Sequence, residues 1–135
     1  MTVVIRILLG ILALVEIVVG AWNQFWPAGF YENFPTVDLT PPFSEHYARD
    51  FGGATLGIAF LLVLAVVRPK THFVVPAAVA CEIFAIPHFV FHALHLEHAT
   101  GFESVMLNLL NGLVVLVALA AIVLALVRDG RLSRA

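Results

Sequence analysis

Charged residues are scarce in this sequence, and their scarcity narrows the class of protein. Only 12% of the 135 residues are Asp, Glu, Lys or Arg, whereas 61% are hydrophobic. The mean hydropathy is +1.01. A water-soluble chain of this composition would have too little polar surface to cover itself. The composition therefore predicts an integral membrane protein with one domain over residues 1–135 and the lipid membrane as its main partner.

Several functional motifs are also missing. The one cysteine, Cys81, cannot form a disulfide framework or a paired-thiol metal site. The net charge is only −2 and there is no basic run, so nucleic acid is excluded as a partner. Neither a glycine-rich phosphate loop nor a nucleophile elbow occurs, so nucleotide binding and serine hydrolysis are not predicted.

Four apolar stretches are long enough to cross a membrane as helices. They cover residues 3–21, 45–67, 73–96 and 105–127, each near the roughly 20 residues that span about 30 Å of hydrocarbon. An external loop over 22–44 separates the first two, and its prolines exclude one continuous helix. Ser44, at the end of this loop, is the expected N-cap of the second helix. We expect an all-α integral membrane four-helix up-down bundle with a short basic turn between the second and third helices. The aromatic loop is either a lid over the outer mouth or an aromatic belt at the lipid headgroups. Its prolines are Pro27, Pro35, Pro41 and Pro42.

The basic residues predict the orientation of the chain. The positive-inside rule makes the side that carries most of them cytoplasmic. Both termini are therefore expected in the cytoplasm, in the inner membrane of a bacterium. The N-terminal run has a single basic residue and is interrupted by Glu16, which favours a retained helix over a cleaved signal peptide. The predicted inner residues are Arg6, Arg68, Lys70, Arg128, Arg131 and Arg134.

Polar side chains are concentrated in the outer half of the predicted bundle. His88, His92 and His95 follow i+4 and i+3 steps, so a helix projects them from one face within about 60°. Polar groups are costly inside a bilayer and are expected to face the bundle interior. All four helices contribute to this half, which predicts a polar pocket that opens outward, with Glu82 deeper. Its members are Glu16, His46, Arg49, Asp50, Glu82, His88, His92, His95, Asn108 and Asn111.

Three kinds of chemistry suit such a pocket, beside a purely structural role. His46, His88 and His92 could bind a metal ion, with Glu16 and Asp50 as further ligands or bases. Two imidazoles could instead hold a haem. The histidines and carboxylates could also relay protons or bind a quinone-like or lipid-like ligand. The structural alternative is that the histidines form hydrogen bonds between helices or contact lipid headgroups.

The start of the second helix carries a family resemblance. The stretch Arg49-Asp50-Phe51-Gly52-Gly53-Ala54-Thr55-Leu56-Gly57 resembles the signature of the DoxX-like superfamily of small bacterial membrane proteins. That resemblance implies a compact four-helix membrane bundle. Named members of the superfamily are linked to thiosulfate:quinone oxidoreduction and to membrane redox complexes. Arg49, Gly52 and Gly53 occupy positions of the superfamily's motif, whereas no catalytic residue of the superfamily can be assigned to this sequence.

Two functions follow as expectations. The first is an accessory or ligand-binding subunit in a membrane redox or envelope process, with membrane proteins as possible partners. The alternative is a metal- or haem-binding membrane oxidoreductase or electron carrier that uses the histidine-rich third helix. Bound metal would favour the alternative, and its absence from folded protein would favour the first.

Overall fold

The computed structural model describes residues 1–39 and 42–133, and these residues are helical apart from short connections. No strand occurs in either range. Pro41, which belongs to the predicted loop, and Arg134, which belongs to the predicted inner side, lie outside the described residues. The helices are α1 (Thr2–Phe25), α2 (Pro27–Asn33), α3 (Glu45–Val67), α4 (Thr71–Leu94) and α5 (Gly101–Leu132), with a 3-10 turn at Val37–Leu39.

Four of these helices are long and apolar enough to cross a membrane, namely α1, α3, α4 and α5. The prediction of four such helices is confirmed, and together they indicate a multi-pass membrane protein. Several boundaries differ from the prediction. Helix α4 covers Thr71–Leu94 instead of 73–96, which leaves His95 as its C-cap, and α5 ends at Leu132 instead of 127. Helix α1 continues to Phe25 instead of residue 21, and α5 begins at Gly101 instead of residue 105.

The predicted external loop contains a helix of its own. The chain leaves α1 at Trp26, whose φ of −137° and ψ of 58° are not helical, and α2 starts at once with Pro27. Proline suits the first position of a helix because it has no N–H to leave unpaired. The prolines therefore interrupt the helix, as predicted, but they also start a second short one.

Side-chain caps define where two of the long helices begin. The Ser44 hydroxyl accepts a hydrogen bond from the Tyr47 N–H at 3.4 Å, so Ser44 is the N-cap that the sequence predicts. Thr100 and Glu103 form a capping box at the start of α5. This second cap explains the early start of α5, because it satisfies first-turn N–H groups before the apolar run begins.

The long helices pack as two close pairs, α1 with α3 and α4 with α5, and α1 also contacts α5 while α3 contacts α4. The partners in each pair run in opposite directions. The Arg6 guanidinium at the start of α1 lies 3.5 Å from the Val67 carbonyl at the end of α3. Arg128 near the end of α5 donates to the Pro69 carbonyl just before α4. The buried core includes Ile5, Leu9, Leu12, Leu62, Val74, Ala118, Ala121 and Ala125.

Large apolar side chains also cover much of the outer surface. Val3, Phe60, Ile83 and Leu109 are each about two-thirds exposed or more. In water such a surface would favour association, whereas in a bilayer it faces lipid at no cost. The exposed apolar surface therefore agrees with the membrane class that the composition predicts.

Candidate functional site

A cavity of about 360 Å³ lies where α4 ends and α5 begins, beside the segment that links α2 to α3. This size is at the lower end of the range for small-molecule pockets. Its walls combine imidazole, carboxylate and apolar groups. The lining residues are Thr36, Leu39, Phe91, His92, His95, Glu97, His98, Ala99 and Leu107.

His95 is fixed in orientation by its own helix. Its Nδ1 lies 2.8 Å from the Phe91 carbonyl oxygen. A carbonyl oxygen only accepts hydrogen bonds, so Nδ1 carries the proton. In the tautomer with its proton on Nδ1, Nε2 is a hydrogen-bond acceptor. The ring also stacks on Phe91, with centroids 4.2 Å apart and planes 16° apart, which adds a flat aromatic wall to the cavity.

The other two histidines of α4 lie side by side, as their spacing predicts. The rings of His88 and His92 are 4.5 Å apart and meet edge to face. His88 also packs 4.9 Å from Phe84, and both histidines are half-buried. A row of rings therefore runs along α4 from the membrane interior to the cavity, and His92 is its member at the cavity wall.

The aromatic loop contributes directly to the cavity. Thr36 and Leu39 come from this segment. Thr36 has a φ of 71°, which is unfavourable for a β-branched residue and is held only where its surroundings require it. Behind this segment, Phe30 and Phe34 stack at 4.6 Å, and both meet Trp22 edge to face. This aromatic cluster holds α2 against the end of α1.

Only part of the predicted pocket is brought together in this cavity. Of the ten predicted residues, His92 and His95 line it. Sequence reasoning missed the contributions of Thr36, Glu97, His98 and the apolar walls. One signal was present for His98, because it continues the i+3 spacing of His92 and His95.

The three predicted metal ligands are not assembled. In the described residues, no three His, Cys, Asp or Glu side chains are grouped so that they could hold a metal ion. His46 lies on the first turn of α3, is 89% exposed, and its Nε2 faces Asp50 at 3.3 Å. His88 and His92 lie on α4 and face each other. The metal site of His46, His88 and His92 therefore has no geometric support in the described residues.

Arg49 is placed differently from the prediction, as a link between helices. Its Nη1 donates to the Gln24 carbonyl near the end of α1. Its Nε and Nη2 donate to the Glu45 carboxylate at 3.0 and 2.8 Å. The bond to Gln24 joins α3 to α1, and the bonds to Glu45 fix the guanidinium on α3 itself. Arg49 therefore acts in helix packing and does not line the cavity.

The two buried glutamates lie deeper than the cavity. Glu16 is 3% exposed, and the Cys81 thiol lies 3.8 Å from its Oε1. Glu82 is 6% exposed, and neither of its carboxylate oxygens has a hydrogen-bond partner among the described residues. Cys81 belongs to the apolar core, as its small size predicts. The glutamates are therefore core groups of the membrane interior.

Of the two predicted asparagines, Asn108 forms a side-chain hydrogen bond within its own helix. The Asn108 amide donates to the Ser104 carbonyl on its own helix at 2.9 Å, and not to a neighbouring helix. Asn111 is half-buried, and its side-chain amide has no hydrogen bond among the described residues. The physical reason is distance along the chain, because a side chain four residues on reaches a carbonyl of its own turn more easily than one on another helix.

The helices and their apolar surface thus define a small helical membrane protein with a polar cavity at one end. Residues 4–88 match a family described as a domain of unknown function, DUF4345, and the chain belongs to that family. The match runs from α1 to His88 in α4, so it ends before His92 and the rest of the cavity wall. Comparison with curated proteins and with solved structures gives no match.

Proposed function

We propose that this chain binds a small quinone-like ligand in the cavity lined by His92, His95 and His98, the histidine cavity. In this proposal it serves as an accessory or ligand-binding subunit of a membrane redox or envelope process. The observation that carries the proposal is the cavity itself, in which three imidazoles and a stacked aromatic wall face about 360 Å³ of space. We place the protein in the bacterial inner membrane as a four-helix up-down bundle, with the cavity facing outward and both termini in the cytoplasm. Membrane proteins of a redox complex would be its partners.

The chemistry of the cavity suits a quinone or quinol head group. His95 offers Nε2 as an acceptor for a quinol hydroxyl, and a His92 N–H can donate to a quinone carbonyl. Phe91, Leu39 and Leu107 supply apolar walls for the ring and its substituents. Pockets of this kind bind through mostly apolar contact, and a few polar groups set the orientation of the ligand.

The resemblance to the DoxX-like superfamily belongs to the same proposal. Two residues of the stretch 49–57 support the resemblance, because both act in helix packing. Gly52 is in close contact with the backbone of α1 at Gln24, and Arg49 donates a hydrogen bond to the Gln24 carbonyl. The superfamily's link to quinone chemistry agrees with the ligand class proposed from the cavity.

The test is titration of the detergent-purified protein with decylubiquinone, followed by quenching of Trp22 and Trp26 fluorescence. We expect saturable binding that His92→Gln and His95→Gln each weaken by about 2- to 12-fold, the effect of losing one hydrogen bond. His72→Gln is the matched control, because His72 lies on the same helix at the far end. Ala99→Trp fills the cavity and should abolish binding.

Two outcomes would contradict the proposal. One is quenching that rises without saturation and is equal in all variants, which is partition into the detergent. The other is displacement of decylubiquinone by lysophosphatidylcholine at equal concentration, which would make the occupant a lipid.

A further inference from the structure

A second cavity, of about 440 Å³ and open to the outside over most of its boundary, lies at the opposite end of the molecule, between the α3–α4 turn and the end of α5. Its polar walls come from Lys70, Thr71, His72, Arg128 and Asp129. It shares no lining residue with the histidine cavity. Whatever binds here is independent of the proposed quinone-like ligand.

Arg128 gives this cavity a positive charge that is fixed in place. Its side chain is only 14% exposed. Nη1 donates to the Pro69 carbonyl at 2.7 Å, Nη2 to the Thr71 hydroxyl at 3.0 Å, and Nε to the Asp129 carboxylate at 3.1 Å. A guanidinium has five N–H donors, so these three bonds leave capacity for an anionic oxygen.

Lys70 adds a second cation that is free to bind. Its side chain forms no hydrogen bond or ion pair among the described residues, and it is exposed at the cavity rim. Asp129 is the one carboxylate in the wall, and its contact with Arg128 partly neutralises it. Around the cavity the end of the molecule also carries Arg6, Arg68 and Arg131. The local field therefore favours an anion.

The surface around the second cavity is apolar, and this favours a lipid over a free ion as its ligand. Val67 precedes the turn and is 65% exposed, Val127 precedes Arg128 and is 42% exposed, and Val3 follows Thr2 of the lining. These side chains belong to the lipid-facing surface of α3, α5 and α1. A ligand with a phosphate head group and acyl chains would meet cations at its head and hydrocarbon along its tails.

We propose that this cavity is a binding site for the phosphodiester head group of an anionic phospholipid such as phosphatidylglycerol. The head group contacts Lys70 and the free face of Arg128, and the acyl chains lie along Val67 and Val127. Basic pockets between membrane helices bind anionic lipid head groups by this combination of charge and depth.

Native mass spectrometry of the full chain in mild detergent tests the site. The protein is titrated with phosphatidylglycerol and, separately, with phosphatidylcholine of the same acyl chains. We expect saturable retention of phosphatidylglycerol alone. Lys70→Gln should weaken it by about fivefold, the effect of one cation near a lipid surface, and Lys70→Arg should stay within about twofold of the original protein.

Arg131→Gln is the matched control, because Arg131 is exposed at the same end but does not line the cavity. It should change retention by less than about twofold. Equal losses in Lys70→Gln and Arg131→Gln would overturn the proposal in favour of a diffuse surface field. Equal retention of both lipids would overturn it too. Displacement of the lipid by millimolar inorganic phosphate would assign the cavity to a free anion instead.

Discussion

Glu82 is the residue whose environment departs furthest from the ordinary rules of burial. Its carboxyl lies inside a helix long and apolar enough to cross a membrane, and both of its oxygens lack a hydrogen-bond partner among the described residues. An unpartnered buried polar group costs about 1–3 kcal/mol of stability, and more when it is charged. Glu16, by contrast, is contacted by the Cys81 thiol. We therefore expect Glu82 to weaken the fold that contains it.

Replacing Glu82 should stabilise the protein. Glu82→Leu replaces the unpartnered carboxyl with an apolar side chain of similar size. We therefore expect a gain of about 1–3 kcal/mol in the free energy of unfolding. Denaturation in mixed detergent micelles measures it. Glu82→Gln is the control, because an amide at the same position is just as unpartnered and should gain much less. A loss of stability in Glu82→Leu would mean that the carboxyl has a partner in the membrane.

Glycines on both helices, Gly20 and Gly52, allow the contact between α1 and α3, and it is tightest at Gly52. A Cβ added at Gly52 would lie 2.5 Å from the Gln24 nitrogen and 2.8 Å from the Gly20 carbonyl oxygen. Both are backbone atoms, which cannot move without separating the helices. Gly53 and Gly57, also on α3, have the small-xxx-small spacing that is typical of close helix contacts. Gly57 has open space where a Cβ would be, so the contact lies one residue earlier, at Gly52.

Gly52→Ala should therefore destabilise the α1–α3 pair. Overpacking of this kind costs about 1–3 kcal/mol, because the two backbones must move apart. Gly57→Ala, one and a half turns further along the same helix, adds a methyl group to open space and should be neutral or slightly stabilising. Thermal unfolding of the two variants in the same detergent gives the comparison. Equal stabilities would contradict the close contact seen at Gly52.

The whole molecule is polarised along the direction of its long helices. The end formed by the α3–α4 turn and the end of α5 carries Arg6, Arg68, Lys70, Arg128 and Arg131, with Asp129 as its carboxylate in the described residues. The opposite end carries Glu32, Asp38, Glu45, Asp50, Glu97 and Glu103, with Arg49 as its cation. The histidine cavity lies at the acidic end and the second cavity at the basic end. The proposed ligands are accordingly an uncharged quinone-like molecule at the first end and an anionic lipid at the second.

This polarity predicts the orientation of the protein in a bacterial cell. In a Cys81→Ser background, Asp38→Cys should react with a membrane-impermeant maleimide added to intact cells, whereas Arg131→Cys should react only after the inner membrane is opened. The reason is that cationic segments are retained in the cytoplasm. Asp38 and Arg131 are both exposed, so accessibility within the fold does not bias the comparison. The reverse labelling pattern would invert the topology and turn the histidine cavity inward.

Much of the helical framework follows from local properties of the chain. Length and hydropathy predict the four long helices, and Ser44 predicts the start of α3, because apolar length and capping act within a few residues of each other. The row of His88 and His92 follows from the helical repeat for the same reason. The early start of α5 needed the Thr100–Glu103 capping box, a local pattern that sequence reasoning overlooked.

The site required contacts between residues far apart in the chain. The cavity joins Thr36 and Leu39 to His92, His95 and Leu107, and no periodicity connects these segments. Helical spacing shows which side chains share a face of one helix but not which neighbouring helix they meet. Arg49 and His46 were therefore assigned to a pocket, although packing commits the first to Gln24 and leaves the second at the surface with Asp50. The amino-acid order was sufficient for the helices and their lipid-facing character, whereas the membership of each cavity depended on how those helices pack.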